Sequence, residues 1–297
     1  MGTAFQRLHP AAGFLYFLTV IILLVTSMHP VFLLIGFGTG LFYLIVSLRL
    51  EKAGAVSDSV LPLGKTVRAL PAVCLPAAVF TLILRPLLWH RGVTVLFYVK
   101  GGGVTAETLA YGAASLLLFA NMLLWMMLLQ PCLSAEKILF LFGRTLPRLG
   151  VLLSMTLRFL PLLVKRYDTV RDGQTSLPHS VGKELSIVLA WSLEGAIETA
   201  DSMEARGYGN RRRTCALTCP WKGTDTAVVL YTAVFGGITA AAFASGAADI
   251  TFYPAIRCAG HGILYAAGII AWVLLLILPA AADLTGEYHW KKYMLKT

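Results

Sequence analysis

The sequence predicts an all-α integral membrane protein of about six transmembrane helices, carrying a cytoplasmic platform of two long amphipathic helices. Three observations predict this class. Apolar residues make up 57% of the chain against 13% charged, and the mean hydropathy is +0.74, outside the range of soluble domains. The apolar residues fall in separate runs of spanning length. The basic residues behind the formal charge of +10 lie between those runs and not in one patch, as the retention of lysine and arginine on the cytoplasmic side requires. No basic and aromatic platform accompanies them, so the expected partner is the lipid bilayer and not nucleic acid.

Taken in order, residues 11–28 form an apolar run too long for a signal-peptide core and without a small-residue cleavage site, which predicts a retained span. Pro30 breaks the chain, and a second span follows over about 31–48, making a helical hairpin. Residues 49–68 carry Arg49, Lys52, Lys65 and Arg68 against Glu51 and Asp58, which marks a cytoplasmic loop and a cytoplasmic N-terminus. A third span, about 69–88, contains Pro71 and Pro76, and residues 90–105 read as a glycine-rich loop facing outward. The fourth span, 106–130, is almost unbroken hydrocarbon around Asn121, whose amide is expected to bond between helices because an unpaired amide in lipid is costly. These four spans make up an N-terminal transmembrane region, 1–130.

From Pro131 the character changes. Residues 131–225 alternate apolar runs with charges and hold roughly half of the basic residues, predicting long amphipathic helices at or below the membrane face. One is expected over 149–172, bent near Pro161, which lacks a backbone donor. A second is expected over 183–207, after Pro178 and Gly182. On it Leu193, Ala196, Ile197, Ala200, Met203 and Gly207 share one face, while Glu194, Glu198, Asp201 and Glu204 form an acidic row. Gly207 supplies a C-cap, which puts Arg206 in the last turn, where a cation suits the helix dipole. Residues 226–297 complete the chain with two spans, 226–246 and 263–282, and a tail bearing Lys291, Lys292 and Lys296. With six spans both termini are cytoplasmic.

Catalytic chemistry is hard to find in this sequence. The six histidines are dispersed, with no metalloprotease, phosphate-loop or nucleophile-elbow motif. The five cysteines form no paired framework, and Cys215 and Cys219 have no second ligand pair nearby. No catalytic residue, metal site or cofactor is expected. Carboxylates are nearly absent from the spans, which disfavours an ion-driven carrier.

The stretch Met203-Glu204-Ala205-Arg206-Gly207-Tyr208, followed by Arg213-Thr214, Trp221 and Asp225, resembles the end of the second coupling helix in the transmembrane T component of energy-coupling factor (ECF) transporters, the EcfT/CbiQ family. Upstream, Leu157-Arg158-Phe159-Leu160-Pro161 resembles the arginine-phenylalanine-x-proline stretch that opens the family's first coupling helix. The resemblance covers about 134–225. It implies a non-catalytic scaffold in a bacterial or archaeal plasma membrane that joins a small substrate-binding S component to two cytoplasmic ABC-type ATPases. The cargo would be a vitamin or a transition-metal ion such as nickel or cobalt, selected by the S component. Carried over residue by residue, Ala205, Arg206 and Gly207 would engage an ATPase, with Glu204 beside them. Arg158, Phe159, Pro161, Ala196, Ala200 and Met203 would pack the coupling helices.

The match is uneven. Gln174 stands where the family often has glutamine, but Ser176-Leu177-Pro178 occupies the position of the first Ala-Arg-Gly triplet. Either Arg171 or Arg166, earlier on that helix, engages the second ATPase, or one motif has decayed. Two other readings stay open at this level: the permease of a conventional ABC importer, and a membrane-embedded enzyme using Glu194, Glu198 or Asp201.

Overall fold

A computed structural model describes residues 5–52, 63–84, 94–99, 102–173, 181–208, 219–253, 257–258 and 262–294. Gln174, the Ser176-Leu177-Pro178 stretch, Arg211–Arg213, Thr214, Cys215, Arg91, Lys100 and Lys296 lie outside the described residues.

The chain forms two compact units, Met1–Ser134 with Pro220–Thr297, and Ala135–Cys219. The N-terminal and C-terminal membrane regions thus belong to one body. That first unit contains α1 (Pro10–Thr26), α2 (Pro30–Lys52), α3 (Leu63–Val79), α4 (Ala106–Cys132), α8 (Gly223–Ala244) and α9 (Ile263–Met294). The second contains α5 (Ala135–Thr145), α6 (Pro147–Gly173) and α7 (Val181–Ala205). Among the described residues, four stretches are long and apolar enough to cross a membrane: Pro30–Leu50, Ala106–Cys132, Gly223–Ala244 and Ile263–Gly286. Pro10–Thr26 and Pro71–Leu82 are shorter apolar helices.

Local chemistry explains where these helices start. Pro10, Pro30 and Pro147 each occupy the first helical position, where the missing N–H has no partner to lose. His9 and His29 precede two of them, and each ring Nδ1 accepts the N–H two residues on, from Ala11 at 3.2 Å and from Val31 at 3.3 Å. Pro71 and Pro76 lie within α3, which passes into a π-helical turn, Phe80–Leu84, where the regular ladder is interrupted.

The core of the first unit is built on α2. Its backbone carbonyls accept side-chain donors from two neighbours: Phe32 from Trp272 Nε1 at 3.2 Å, Leu33 from Asn121 Nδ2 at 2.8 Å, and Gly36 from Trp125 Nε1 at 3.2 Å. The Asn121 bond is the interhelical one that its place in the span predicts. Gly40 permits the close approach of α4, since a Cβ there would run into Leu124 Cδ2. Tyr16, Phe17, Leu124, Trp125, Leu275 and Leu276 are fully buried around this contact.

Four features differ from the sequence reading. Residues expected as a loop include a ladder in which β1 (Val95–Val99) pairs antiparallel with β2 (Gly102–Thr105), from Val95 opposite Thr105 to Val99 opposite Gly102. A second short pair joins β3 (Ile250–Thr251) to β4 (Arg257–Cys258). Helix α5 was not anticipated, and α9 runs through Pro279 to Met294, well past the expected end at residue 282. Helix α6, by contrast, is the single helix containing Pro161 that the sequence predicts.

Candidate functional site

The second unit is organised by α6 and α7, which run antiparallel. Phe159 stacks on Trp191 with centroids 6.1 Å apart and planes 8° from parallel, and the Arg166 guanidinium lies 5.1 Å from the same indole. Tyr167, two turns after Phe159, meets Glu184, two turns before Trp191, so the helices pass in opposite directions. An arginine over an indole face adds about 0.5–2 kcal/mol, depending on desolvation. Hydrogen bonding to the Glu184 carboxylate, then partial burial, raises the Tyr167 phenol above its usual range, and Arg171 opposes this.

The face that α7 turns inward carries Glu184, Val188, Trp191, Gly195 and Met203, all buried or half-buried, at roughly helical spacing. This corrects the sequence reading of the same helix. Ala196 and Ala200 are exposed, as are Leu193 at 67% and Ile197 at 65%. The apolar row is therefore real, but within this chain Met203 alone of its members sits on the half-buried side. On α6, Phe159 is half-buried against Trp191, whereas Arg158 and Pro161 are exposed.

The end of α7 has a defined geometry. Gly207 has φ +72°, a left-handed conformation that suits glycine. The Tyr208 N–H donates to the Met203 carbonyl at 3.0 Å and the Gly207 N–H to the Glu204 carbonyl at 2.9 Å. These two bonds form a Schellman cap with Arg206 as the cap residue. Glu204, Ala205 and Arg206 are all exposed, and among the described residues the Arg206 guanidinium has no hydrogen-bond or ion-pair partner. Arg171 is also exposed, in the last turn of α6.

The antiparallel register sets the distance between these two cations. Arg171 lies four residues beyond the Tyr167–Glu184 contact and Arg206 lies 22 residues beyond it the other way, which at about 1.5 Å per residue separates them by about 40 Å. Each is a cation at the negative end of a helix dipole, available to an acidic partner. The arrangement puts two exposed cations at opposite ends of a helical pair.

Sequence reasoning missed Trp191, Tyr167 and Glu184, although Glu184, Val188 and Trp191 stand at i, i+4 and i+7. Among the described residues no group of three or more histidine, cysteine, aspartate or glutamate side chains is placed to hold a metal. Compared with known proteins, the chain matches no family model and no curated protein.

Proposed function

We propose that this chain is the transmembrane T component of an ECF-type ABC importer. Arg206 docks one ATPase and the C-terminal end of α6, with Arg171, docks the other. The observation that carries this reading is the capped end of α7: Gly207 closes the helix so that Arg206 projects from it with a guanidinium available for a carboxylate groove. Arginine suits the role because its planar fork stays charged and binds bidentately. The separation of about 40 Å along an antiparallel pair fits two partners held apart better than a single site.

The exposed apolar rows belong to the same mechanism. Leu152, Leu160 and Val164 on α6 and Leu189, Leu193 and Ile197 on α7 are too numerous for a solvated surface and call for an apolar partner. In this reading the partner is the membrane-embedded S component. ATP-driven closure of the two ATPases displaces the ends of α6 and α7, and the pair reorients the S component to deliver a vitamin or transition-metal ion.

Six spans complete the proposal, with α1 and α3 plus its π turn added to the four long helices. The starts of α1 and α8 meet at Asp225, and the end of α4 lies beside Tyr43 at Cys132. Tyr43 in turn bonds Asp283, the partner of the Phe5 N–H. These contacts bring the N-terminal segment and both junctions with the second unit to one end of the first unit, which in this reading is the cytoplasmic end of a plasma-membrane protein. The test is Arg206→Ala. Removing one partner of a desolvated ion pair costs about 2–5 kcal/mol, so ATPase capture should collapse while membrane accumulation stays near normal. Failure to accumulate would make Arg206 a structural residue and end the proposal.

A further inference from the structure

A carboxylate buried in a membrane protein is costly unless its oxygens are satisfied, and one within a membrane helix is by default a functional candidate. Two such groups lie at the end of the first unit where the chain departs for the second unit and returns. Asp225, 1% exposed, accepts the Lys222 N–H at 2.8 Å and the His9 N–H at 2.9 Å. The first bond closes the start of α8, and the second ties it to a residue 216 positions away. His9 is also the N-cap of α1, and its ring lies 4.8 Å from that of Trp221.

Asp283, 3% exposed, lies near the end of the apolar part of α9. It accepts the Phe5 N–H at 2.8 Å and the Tyr43 hydroxyl at 3.2 Å. The Phe5 ring is buried edge-on against Tyr16 and Phe17 of α1. Residues 5–9 therefore form a strap joined to α1, α8 and α9, with Tyr43 of α2 on the same Asp283 carboxylate. Its two charged attachments grip backbone N–H groups, which cannot rotate away as side chains do.

Such a strap answers a mechanical difficulty. Where α1 and α8 pack, Gly236 faces Thr19 closely enough that a Cβ would lie 3.0 Å from its methyl. In lipid this kind of contact has no hydrophobic driving force to resist sliding. We propose that Asp225 and Asp283 are positioning residues for energy coupling: the strap they hold makes α1, α8 and α9 move together when displacement arrives along residues 219–222. That stretch is where the chain returns from the coupling helices. The inference rests on the T-component reading.

Amide hydrogen exchange tests it in the complex purified with its ATPases, without nucleotide and with ATP plus orthovanadate. The parent is compared with Asp225→Asn, Asp283→Asn and, beside the far end of α1, the control Asp249→Asn. In the parent and the control, trapping should alter exchange both in α7 and in the first turns of α1. In the two strap variants the α7 response should persist, the α1 response should fall about tenfold, and resting exchange at residues 5–9 should rise as the charge-assisted bonds weaken. An α1 response that survives in both variants overturns the proposal. If Asp283→Asn does not accumulate, Tyr43→Phe removes only the hydroxyl on its carboxylate and carries the same two outcomes. A parent that captures no ATPase refutes the T-component reading and the coupling role with it. Resting exchange at residues 5–9 then still shows whether the carboxylates hold the strap, so the two failures are told apart.

Discussion

Replacing Gly207 by alanine should detach the function of Arg206 from its chemistry, because the arginine stays in place while its support is removed. Gly207 sits at φ +72°, where a Cβ crowds the following carbonyl and costs about 1–2 kcal/mol. The folded alternative is to let the last turn open, giving up the Tyr208–Met203 and Gly207–Glu204 bonds. One or two kcal/mol changes an equilibrium by a factor of about 5–30, so the population of closed caps should fall by that factor relative to open ones. ATPase capture that depends on a closed cap should weaken by up to the same amount. Asparagine tolerates the left-handed region and is a natural substitute at this cap position, so Gly207→Asn should lose much less. Amide exchange at Gly207 and Tyr208 reads the cap, and retention of the ATPases through a detergent wash reads the consequence. Equal losses in the alanine and asparagine variants, or an alanine variant with an unchanged cap and unchanged capture, would refute the argument from backbone conformation.

Other consequences follow from the packing and the topology. Trp191→Ala removes the Phe159 stack and the Arg166 contact of a half-buried indole, and should destabilise the α6–α7 pair by about 1–3 kcal/mol; limited proteolysis of the second unit measures this, and unchanged resistance would count against the pairing. Gly40→Ala drives a Cβ into Leu124 and should cost about 1–3 kcal/mol through overpacking, seen as a lower melting temperature in detergent. His29 is buried and its imidazole titrates below the usual range, so the unfolded chain binds a proton more readily than the folded one. The associated stability is complete above about pH 6.5 and is lost as pH falls through that value towards the lowered folded pKa. His29→Asn keeps a capping acceptor without the titration, and its melting temperature should fall less between about pH 7 and pH 5 than that of the parent. In a background without native cysteines, Gly102→Cys should react with an impermeant thiol reagent in intact cells while Asp172→Cys should not, and the reverse pattern would overturn the six-span arrangement.

Much of this protein is legible in its sequence because membranes and helix ends impose local rules. Pro30 announces the break between two helices, unbroken hydrocarbon announces α4, and Gly207 announces a helix end with its arginine in place. What was hidden depends on distant partners. The α7 face was misread because apolar periodicity reports which side chains avoid water, not which partner they meet. Leu193 and Ile197 are exposed among the described residues, while the inward face uses Glu184 and Trp191, residues with no place on an apolar stripe. Asp225 and Asp283 gave no local sign of a shared task, since their donors at His9 and Phe5 are 216 and 278 residues away. The β1–β2 ladder was lost for a different reason: Val95–Val99 is short, and Gly102 and Gly103 opposite it suggested a turn.

The proposed function makes the α6–α7 pair a coupling device for two ATPases and a membrane-embedded partner. The most direct measurement is the composition of the complex obtained when the chain is purified from its native membrane in mild detergent, with subunit stoichiometry read by native mass spectrometry. The account predicts one copy of this chain, two ABC-type ATPase subunits and one small hydrophobic membrane protein, with ATPase capture lost in Arg206→Ala. The chain alone, or ATPases accompanied by a soluble substrate-binding protein and no small membrane partner, would contradict it.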